Sequence, residues 1–300
     1  MCGIAGVLRR DDPDFAVGAT LLEMARCLQH RGADSAGVAV FGATHASHLQ
    51  MALPAFVEAP TGAQLNEVSG GRITNFEQQI GGLDAPVALQ DTPNSLDDLA
   101  LVRLLEDAFP GATVSGLGER MSVYKAVGPV EELAPQFAQL TGTHGIAHLR
   151  LATESRIDPA HAQPFWGRPF TDIAVTHNGH ITNYLKLRQK FEARGFSFAS
   201  HNDSEIIGVF LGDLMESGAS LFEALEVAKK QLDGSFSFIV ATRDALGVTR
   251  DPLATKPLLY VETEAGVTLG SEPQALYHAC GSGAKIREVK PQETKTWGLD

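Results

Sequence analysis

The chain has 300 residues, of which 44% are hydrophobic and 20% are charged, a composition typical of a globular protein with ample material for a core. Its formal net charge of −12, with no cluster of lysine and arginine, excludes a surface that follows the phosphates of nucleic acid. The three cysteines lack CxxC spacing and by themselves provide neither a disulfide framework nor a zinc or iron–sulfur site.

The N-terminal segment does not have the pattern of a secretory signal, because its apolar stretch is short and charged residues follow at positions 9–12. No other apolar run approaches the length that is needed to cross a membrane. We therefore expect a cytoplasmic protein that binds no metal ion, no membrane and no nucleic acid.

The first predicted element is a buried strand over residues 2–8, an apolar run that contains two glycines. Apolar residues then recur at helical spacing, at Leu21, Leu22, Ala25 and Leu28. Gly32 can close this helix, and a second strand is predicted over residues 38–41.

The periodic signal weakens from 42 to 143, a stretch that contains several prolines and two Gly-Gly pairs. Its one clear helix is marked by Ser95, with Asp98 as the second member of a capping pair. We interpret residues 42–143 as an inserted lobe of mixed structure within a domain that covers residues 2–300.

Regular patterns return after residue 143. Strands are predicted over 145–150 and from 173 onward, the latter ending in the HNG segment at 177–179. Helices are predicted over 184–191, 206–214 and 220–232, the last with a capping box of Ser220 and Glu223. Four short strand-like runs follow, at 236–241, 247–250, 258–261 and 267–269. A block of strands after paired helices is typical of a layered α+β fold.

Cys2 is the residue with the most distinctive possible reactivity. A cysteine near a chain end is usually an inert, small apolar residue. Removal of Met1 before a small residue would, however, give Cys2 a free α-amine, whose unperturbed pKa is about 7.7 to 8.0. Such an amine can act as general base for the thiol of the same residue, so that one residue supplies both nucleophile and base.

Six segments, taken in order, resemble the class II glutamine amidotransferases, which use an N-terminal nucleophile. They are MCGIAG at 1–6, RGADSAG at 31–37, AHLRLAT at 147–153, AQPF at 162–165, HNG at 177–179 and NDSE at 202–205. Each segment alone is a weak signal, whereas the ordered set is specific. The resemblance implies a four-layer αββα sandwich of the N-terminal-nucleophile hydrolase type, with Cys2 at the end of a central strand.

The resemblance also implies the catalytic residues. Cys2 would attack the side-chain amide of glutamine and form a thioester. The Asn178 side chain and the backbone N–H of Gly179 would donate hydrogen bonds to the oxyanion that develops on the amide carbonyl.

The same resemblance implies five substrate-binding residues. Arg150 would bind the α-carboxylate of glutamine, since a guanidinium fork matches a carboxylate, and Thr153 would add a hydroxyl donor. Asp203 would bind the α-ammonium group. Arg31 and His177 belong to the matching segments and complete the predicted set. No cofactor-binding and no metal-binding residue is predicted in this chain.

Each of these residues also has an ordinary structural interpretation. Asn178 and Gly179 form a dipeptide that is common in tight turns, and Asp203 or Ser204 could cap the helix that follows. Arg150 could be a surface cation, and Arg31 could be a cation at a helix C-terminus. Their joint occurrence with Cys2 favours the catalytic interpretation.

The predicted function is glutamine hydrolysis coupled to a partner. Fewer than thirty residues follow Glu272, too few for a synthase domain. The chain therefore resembles a free-standing amidotransferase subunit, most closely that of N-methylglutamate synthase or a split glutamate synthase. The resemblance implies partner synthase subunits that carry flavin and iron–sulfur cofactors and receive the ammonia.

Two alternatives remain open from the sequence. One is an N-terminal-nucleophile hydrolase that acts on an amide other than glutamine. The other is a regulatory or structural subunit of a synthase complex that keeps the fold without turnover.

Overall fold

The computed structural model of the chain describes residues 2–43, 47–53, 58–79, 82–87, 95–152 and 156–300. The strands, in chain order, are β1 (Gly3–Arg9), β2 (Ser35–Phe41), β3 (His48–Ala52), β4 (Glu77–Gln79), β5 (Gly82–Pro86), β6 (Thr113–Gly118), β7 (Met121–Val127), β8 (His144–Arg150), β9 (Phe165–Trp166), β10 (Ala174–Ile181), β11 (Gly234–Thr242), β12 (Ala245–Arg250), β13 (Leu259–Thr263), β14 (Gly266–Gly270), β15 (Arg287–Glu288) and β16 (Thr294–Gly298). The helices are α1 (Val17–Leu28), α2 (Gly62–Val68), α3 (Ser95–Ala108), α4 (Ala134–Phe137), α5 (Tyr184–Ala193), α6 (Glu205–Glu216), α7 (Leu221–Gln231) and α8 (Pro273–Cys280).

Two antiparallel sheets form the centre of the molecule. Within the described ranges, the first sheet has seven strands in the order β15-β13-β14-β1-β8-β2-β7, and the second has five in the order β16-β12-β11-β10-β9. The predicted N-terminal strand is thus a central strand, because β1 pairs with β14 on one side and with β8 on the other.

Side-chain alternation along β1 places apolar residues on both faces of the first sheet. Ile4 and Leu8 face the second sheet and pack with Ile239, whereas Ala5 and Val7 pack beneath α1. Both faces of the strand are therefore covered, which explains why its sequence is almost continuously apolar.

Helices cover the outer faces of both sheets. Helices α1 and α8 pack against each other and on the first sheet, and α6 and α7 pack on the second. Phe236, Phe238 and Val240 of β11 point into the core beneath these latter helices. The predicted four-layer αββα sandwich is therefore confirmed.

The interval 42–143, for which an inserted lobe is predicted, contributes to two parts of the molecule. Strands β3 to β6 form a third antiparallel sheet in the order β4-β5-β3-β6, and this sheet carries α3. Strand β7 then pairs with β2 at the edge of the first sheet, and Phe137 of α4 packs in the same core as α1.

The third sheet is joined to the sandwich by a continuous apolar core, and by buried polar contacts. Arg168 is almost fully buried and donates to both carboxylate oxygens of Glu106 on α3, one of them at 3.0 Å. Asp172, also buried, accepts hydrogen bonds from the backbone N–H groups of Arg120 at 3.0 Å and Met121 at 2.9 Å. These contacts fix the turn between β6 and β7 against the second sheet.

Among the described residues, no helix is long and apolar enough to cross a membrane.

Candidate active site

An open cleft of about 1060 Å³ lies where the N-terminal end of β1 meets the C-terminal ends of β8 and β10. It brings together predicted site residues that are far apart in sequence, namely Cys2, Arg150, His177, Asn178, Gly179 and Asp203. Arg31 is not part of the lining, and Thr153 lies outside the described residues.

Cys2 immediately precedes β1 and is partly exposed in this cleft. Its Sγ lies 3.8 Å from the carbonyl oxygen of Leu151. Its own carbonyl oxygen accepts two hydrogen bonds, from Arg31 Nε at 2.9 Å and from Asn178 Nδ2 at 3.1 Å. The backbone of Cys2 is therefore held from two directions while its thiol remains accessible.

Strand β10 carries Asn178 and Gly179 into the site. The sequence predicted a strand that ends in residues 177–179, with a tight turn as the ordinary alternative for Asn178 and Gly179. The alternative was wrong and the strand is longer than predicted, because β10 pairs with β11 in register from Ala174 to Ile181. Since Asn178 lies within a paired strand, its side chain has a fixed direction toward Cys2.

Arg150 is the last residue of β8, and its side chain is buried at the floor of the cleft. One guanidinium nitrogen donates to the carbonyl oxygen of Arg156 at 2.8 Å. Burial lowers the pKa of Arg150, and the nearby Cys2 and Asp158 partly oppose this effect. Asp34 holds the chain just beyond this residue, because its carboxylate accepts from the Ala152 N–H at 2.7 Å.

Asp203 lies in the segment just before α6 and lines the same cleft as Arg150. One of its carboxylate oxygens accepts from the Ile181 N–H at 2.6 Å. The ordinary interpretation was that a side chain here caps the helix. Ser204 is the N-cap of α6, but its side chain makes no capping hydrogen bond. Asp203 is thus tied to the end of β10 and remains part of the cleft lining.

His177 is buried and contacts two neighbouring side chains, one through its ring and one through its backbone. Its Nδ1 lies 2.7 Å from the Ser204 hydroxyl, and its backbone N–H donates to Gln163 Oε1 at 2.6 Å. Burial lowers the pKa of His177 to about 4, although the Asp203 carboxylate acts in the opposite direction. The ring is therefore neutral near pH 7, and its hydrogen bonds support the neighbouring strand and helix ends.

Gln163 is a site residue to which the sequence assigned no role. Its side-chain nitrogen lies 3.2 Å from the carbonyl oxygen of His177 and 3.2 Å from the Ser204 hydroxyl. It therefore fixes the backbone of β10 immediately before Asn178. The available signal was its place in the AQPF segment, one of the six that carry the resemblance.

The other two cysteines lie elsewhere. Cys27 is partly buried on α1, where burial raises the pKa of its thiol, and Cys280 is exposed at the end of α8. Within the described ranges, no group of three or more histidine, cysteine, aspartate or glutamate residues could hold a metal ion.

The chemistry of the cleft suits an α-amino acid with a reactive side chain. A guanidinium and a carboxylate can bind the two charged ends of such a molecule, and the thiol and the Asn178 amide line the same cleft. A nucleophile with hydrogen-bond donors beside it is the arrangement required for acyl transfer.

Comparisons with known proteins point in one direction. A sequence profile for the family described as "Glutamine amidotransferase domain" matches residues 148–278. The chain is 33% identical over 309 residues to a protein of Methanothermobacter thermautotrophicus named "Putative glutamine amidotransferase", with 100% of both chains covered. It is 32% identical over 311 residues to the "Glutamine amidotransferase-like protein GlxB" of Rhizobium meliloti, with 99% of this chain and 98% of that protein covered.

The fold is also similar to that of a solved structure, the glutamine phosphoribosylpyrophosphate amidotransferase of B. subtilis. The TM-score is 0.59 at 19% sequence identity, and the match covers 100% of this chain and 49% of that chain. At this level of identity, the similarity supports the fold alone.

Proposed function

This chain belongs to the class II glutamine amidotransferases, and from that membership we propose that it hydrolyses L-glutamine to glutamate and ammonia through a thioester on Cys2. The observation that carries the proposal is the cleft in which Cys2, Arg150, Asn178 and Asp203 converge from four separate chain segments. Similarity over the full length of two relatives named for this activity supports it further.

In the proposed mechanism, removal of Met1 frees the α-amine of Cys2, which takes the proton of the thiol. The thiolate attacks the side-chain amide carbon, and the resulting oxyanion accepts hydrogen bonds from Asn178 Nδ2 and the Gly179 N–H. One Nδ2 proton already serves the Cys2 carbonyl, and the amide group has a second proton for the oxyanion. Collapse of the intermediate releases ammonia, which takes the proton from the amine. Water then hydrolyses the thioester to glutamate.

Substrate binding is assigned to two of the charged residues that line the cleft. Arg150 binds the α-carboxylate and Asp203 the α-ammonium group, with Thr153 as an additional donor. His177 contributes by holding the Ser204 and Gln163 side chains in place. Arg31 acts on Cys2 rather than on glutamine, since it contacts the Cys2 carbonyl and does not line the cleft.

We further propose that the ammonia passes to a partner synthase of the N-methylglutamate synthase or split glutamate synthase type. In this proposal, flavin and iron–sulfur cofactors belong to the partner subunits. A test is to add candidate partner subunits and measure glutamine-dependent amination of 2-oxoglutarate. The assignment would be contradicted if the partner subunits aminate 2-oxoglutarate from glutamine equally well without this chain.

The test of the glutaminase proposal is labelling with 6-diazo-5-oxo-norleucine, a glutamine-mimicking electrophile, followed by intact mass analysis. We expect loss of Met1 and a single adduct on Cys2 that competing glutamine prevents. We also expect Cys2→Ser to lower glutaminase turnover by at least about 10³-fold. Cys27→Ser and Cys280→Ser are the matched controls and retain activity. An adduct on another residue, or full turnover by Cys2→Ser, would overturn the mechanism.

A further inference from the structure

Glu272 lies outside the cleft, at the junction between β14 and α8. Its side chain is only one-quarter exposed, and a single carboxylate oxygen has two partners. Arg31 donates to this oxygen at 2.6 Å, and His30 Nε2 lies 3.1 Å from it. Glu272 thus connects the last part of the chain to the segment that follows α1.

Arg31 transmits this contact to Cys2. Its Nε donates to the Cys2 carbonyl oxygen at 2.9 Å while a second guanidinium nitrogen is held by Glu272. The Asn178 amide occupies the other side of the same carbonyl. Because a carbonyl oxygen has two lone pairs, both acceptor positions of Cys2 are satisfied by side chains.

The residues around Glu272 also hold the first residues of β1. The Ile4 N–H donates to the Ser271 hydroxyl at 3.2 Å, and the Ser271 N–H donates to the Ile4 carbonyl at 2.9 Å. Gly3 packs so closely on the end of α1 that a Cβ there would lie 2.9 Å from Leu28 Cβ. The backbone that leads to Cys2 therefore has little freedom on either side.

Electrostatics explain why a carboxylate is needed at position 272. The Arg31 side chain is only 9% exposed, and a buried guanidinium without a counter-charge is strongly unfavourable. Burial opposes ionisation of Glu272, but the hydrogen bonds from Arg31 and His30 outweigh it, and the pKa of Glu272 is lowered overall. Glu272 is therefore the ionised partner that determines the orientation of the Arg31 guanidinium.

We propose that Glu272 is a positioning residue for the nucleophile: through Arg31, it fixes the Cys2 carbonyl and thereby the geometry of the α-amine and the thiol. This inference rests on the proposed function in one respect, that Cys2 is the nucleophile. Glu272 does not touch glutamine, so its loss acts on the reaction of bound substrate rather than on binding.

The experiment compares Glu272→Gln with Glu119→Gln. Glu119 is a matched control because it also forms a short ion pair with an arginine, Arg243 at 2.5 Å, but far from Cys2. We expect Glu272→Gln to lower kcat for glutamine hydrolysis by about tenfold to a hundredfold, the effect of a small misplacement of a reacting group, while KM changes by less than about twofold. Glu119→Gln retains the wild-type values of both.

A second readout does not depend on glutamine. In a Cys27→Ser/Cys280→Ser background, iodoacetamide reports on Cys2 alone, and its rate of alkylation is measured against pH. We expect Glu272→Gln to slow this alkylation near neutral pH and to change its pH profile, because the thiolate fraction depends on the position of the α-amine. Glu119→Gln in the same background leaves the profile unchanged.

The outcomes separate the two proposals. If Glu272→Gln slows the alkylation of Cys2, the positioning role is supported. If the chain also has no glutaminase activity, with or without a partner, the proposed function is rejected. Normal glutaminase in which Glu272→Gln and Glu119→Gln behave alike in both assays would reject the positioning role alone. If Glu272→Gln does not fold, Glu272→Asp, which keeps the charge but shortens the side chain, takes its place with the same expected loss in kcat.

Discussion

Gly179 has a backbone φ of +141°, a conformation that residues other than glycine rarely adopt. A Cβ at this position would lie 1.9 Å from the Ser235 carbonyl oxygen of the neighbouring strand. The resemblance implies an oxyanion role for Gly179. The structure shows that the backbones of β10 and β11 also approach closely at this residue, so the fold itself requires glycine here.

We therefore expect Gly179→Ala to lower the free energy of unfolding by at least about 3 kcal/mol, since strain and a backbone clash act together. Gly218→Ala is the control, because Gly218 also has a positive φ, +97°, but a Cβ there meets nothing within 4 Å. It should cost only about 1 to 2 kcal/mol. Urea unfolding measures the free energy of unfolding of both variants. Equal decreases would show that the contact with Ser235 does not constrain the strand.

At the scale of elements, local sequence signals located α1, α3, α5, α6 and α7 but missed the shorter helices α2, α4 and α8. The capping box predicted at Ser220 is present, because the Ser220 hydroxyl accepts from the Glu223 N–H and the Glu223 side chain accepts from the Ser220 N–H. Helix α7 begins directly after it. The signal is local, and four consecutive residues contain everything that the motif requires.

Ser220→Ala is expected to lower the free energy of unfolding by about 1 kcal/mol, because the Glu223 N–H at the start of α7 loses its acceptor, the Ser220 hydroxyl. The control is Ser217→Ala, whose exposed hydroxyl donates to the Asp213 carbonyl at the end of α6. That change should stay within about 0.5 kcal/mol. Chemical unfolding of the two variants provides the comparison, and a larger effect at Ser217 would contradict this account of the cap.

Strand ends depend on partners that lie elsewhere in the chain. The sequence ended the strand in residues 177–179, whereas β10 continues to Ile181. The extension depends on pairing with β11, whose residues lie more than fifty positions later in the chain. A strand that ends where its partner ends cannot be delimited from its own residues.

For the molecule as a whole, three buried histidines link stability to pH. Burial lowers the pKa of His144 to about 4, that of His148 to about 3 and that of His177 to about 4. The unfolded chain binds protons on these rings near pH 6.5, whereas the folded chain stays neutral until lower pH. Between these pH values the unfolded state carries more bound protons. The contribution of these histidines to the free energy of unfolding is therefore complete above about pH 6.5 and is lost as the pH decreases toward 4.

We expect the free energy of unfolding to decrease between pH 6.5 and pH 4, and His144→Gln to make this decrease smaller. A glutamine amide can still donate to the Thr242 carbonyl, which lies 2.7 Å from His144 Nε2, but it does not titrate. His278→Gln is the control, because that exposed ring on α8 contacts water when folded and when unfolded. Urea unfolding across this pH range decides the matter, and parallel curves for wild type and His144→Gln would refute the linkage.

The sequence by itself determined the family resemblance, the candidate nucleophile Cys2, the positions of the five longest helices and the layered fold class. These depend on residue order and local periodicity, which a single chain displays directly. The substrate roles of Arg150 and Asp203 and the identity of the partner remain predictions. Only the tertiary structure decided that β7 returns to the first sheet and that Arg31 contacts the Cys2 carbonyl instead of lining the cleft. Such contacts join segments that no local pattern relates, since Arg31 and Glu272 are 241 positions apart, and they exist only once the sheets have paired.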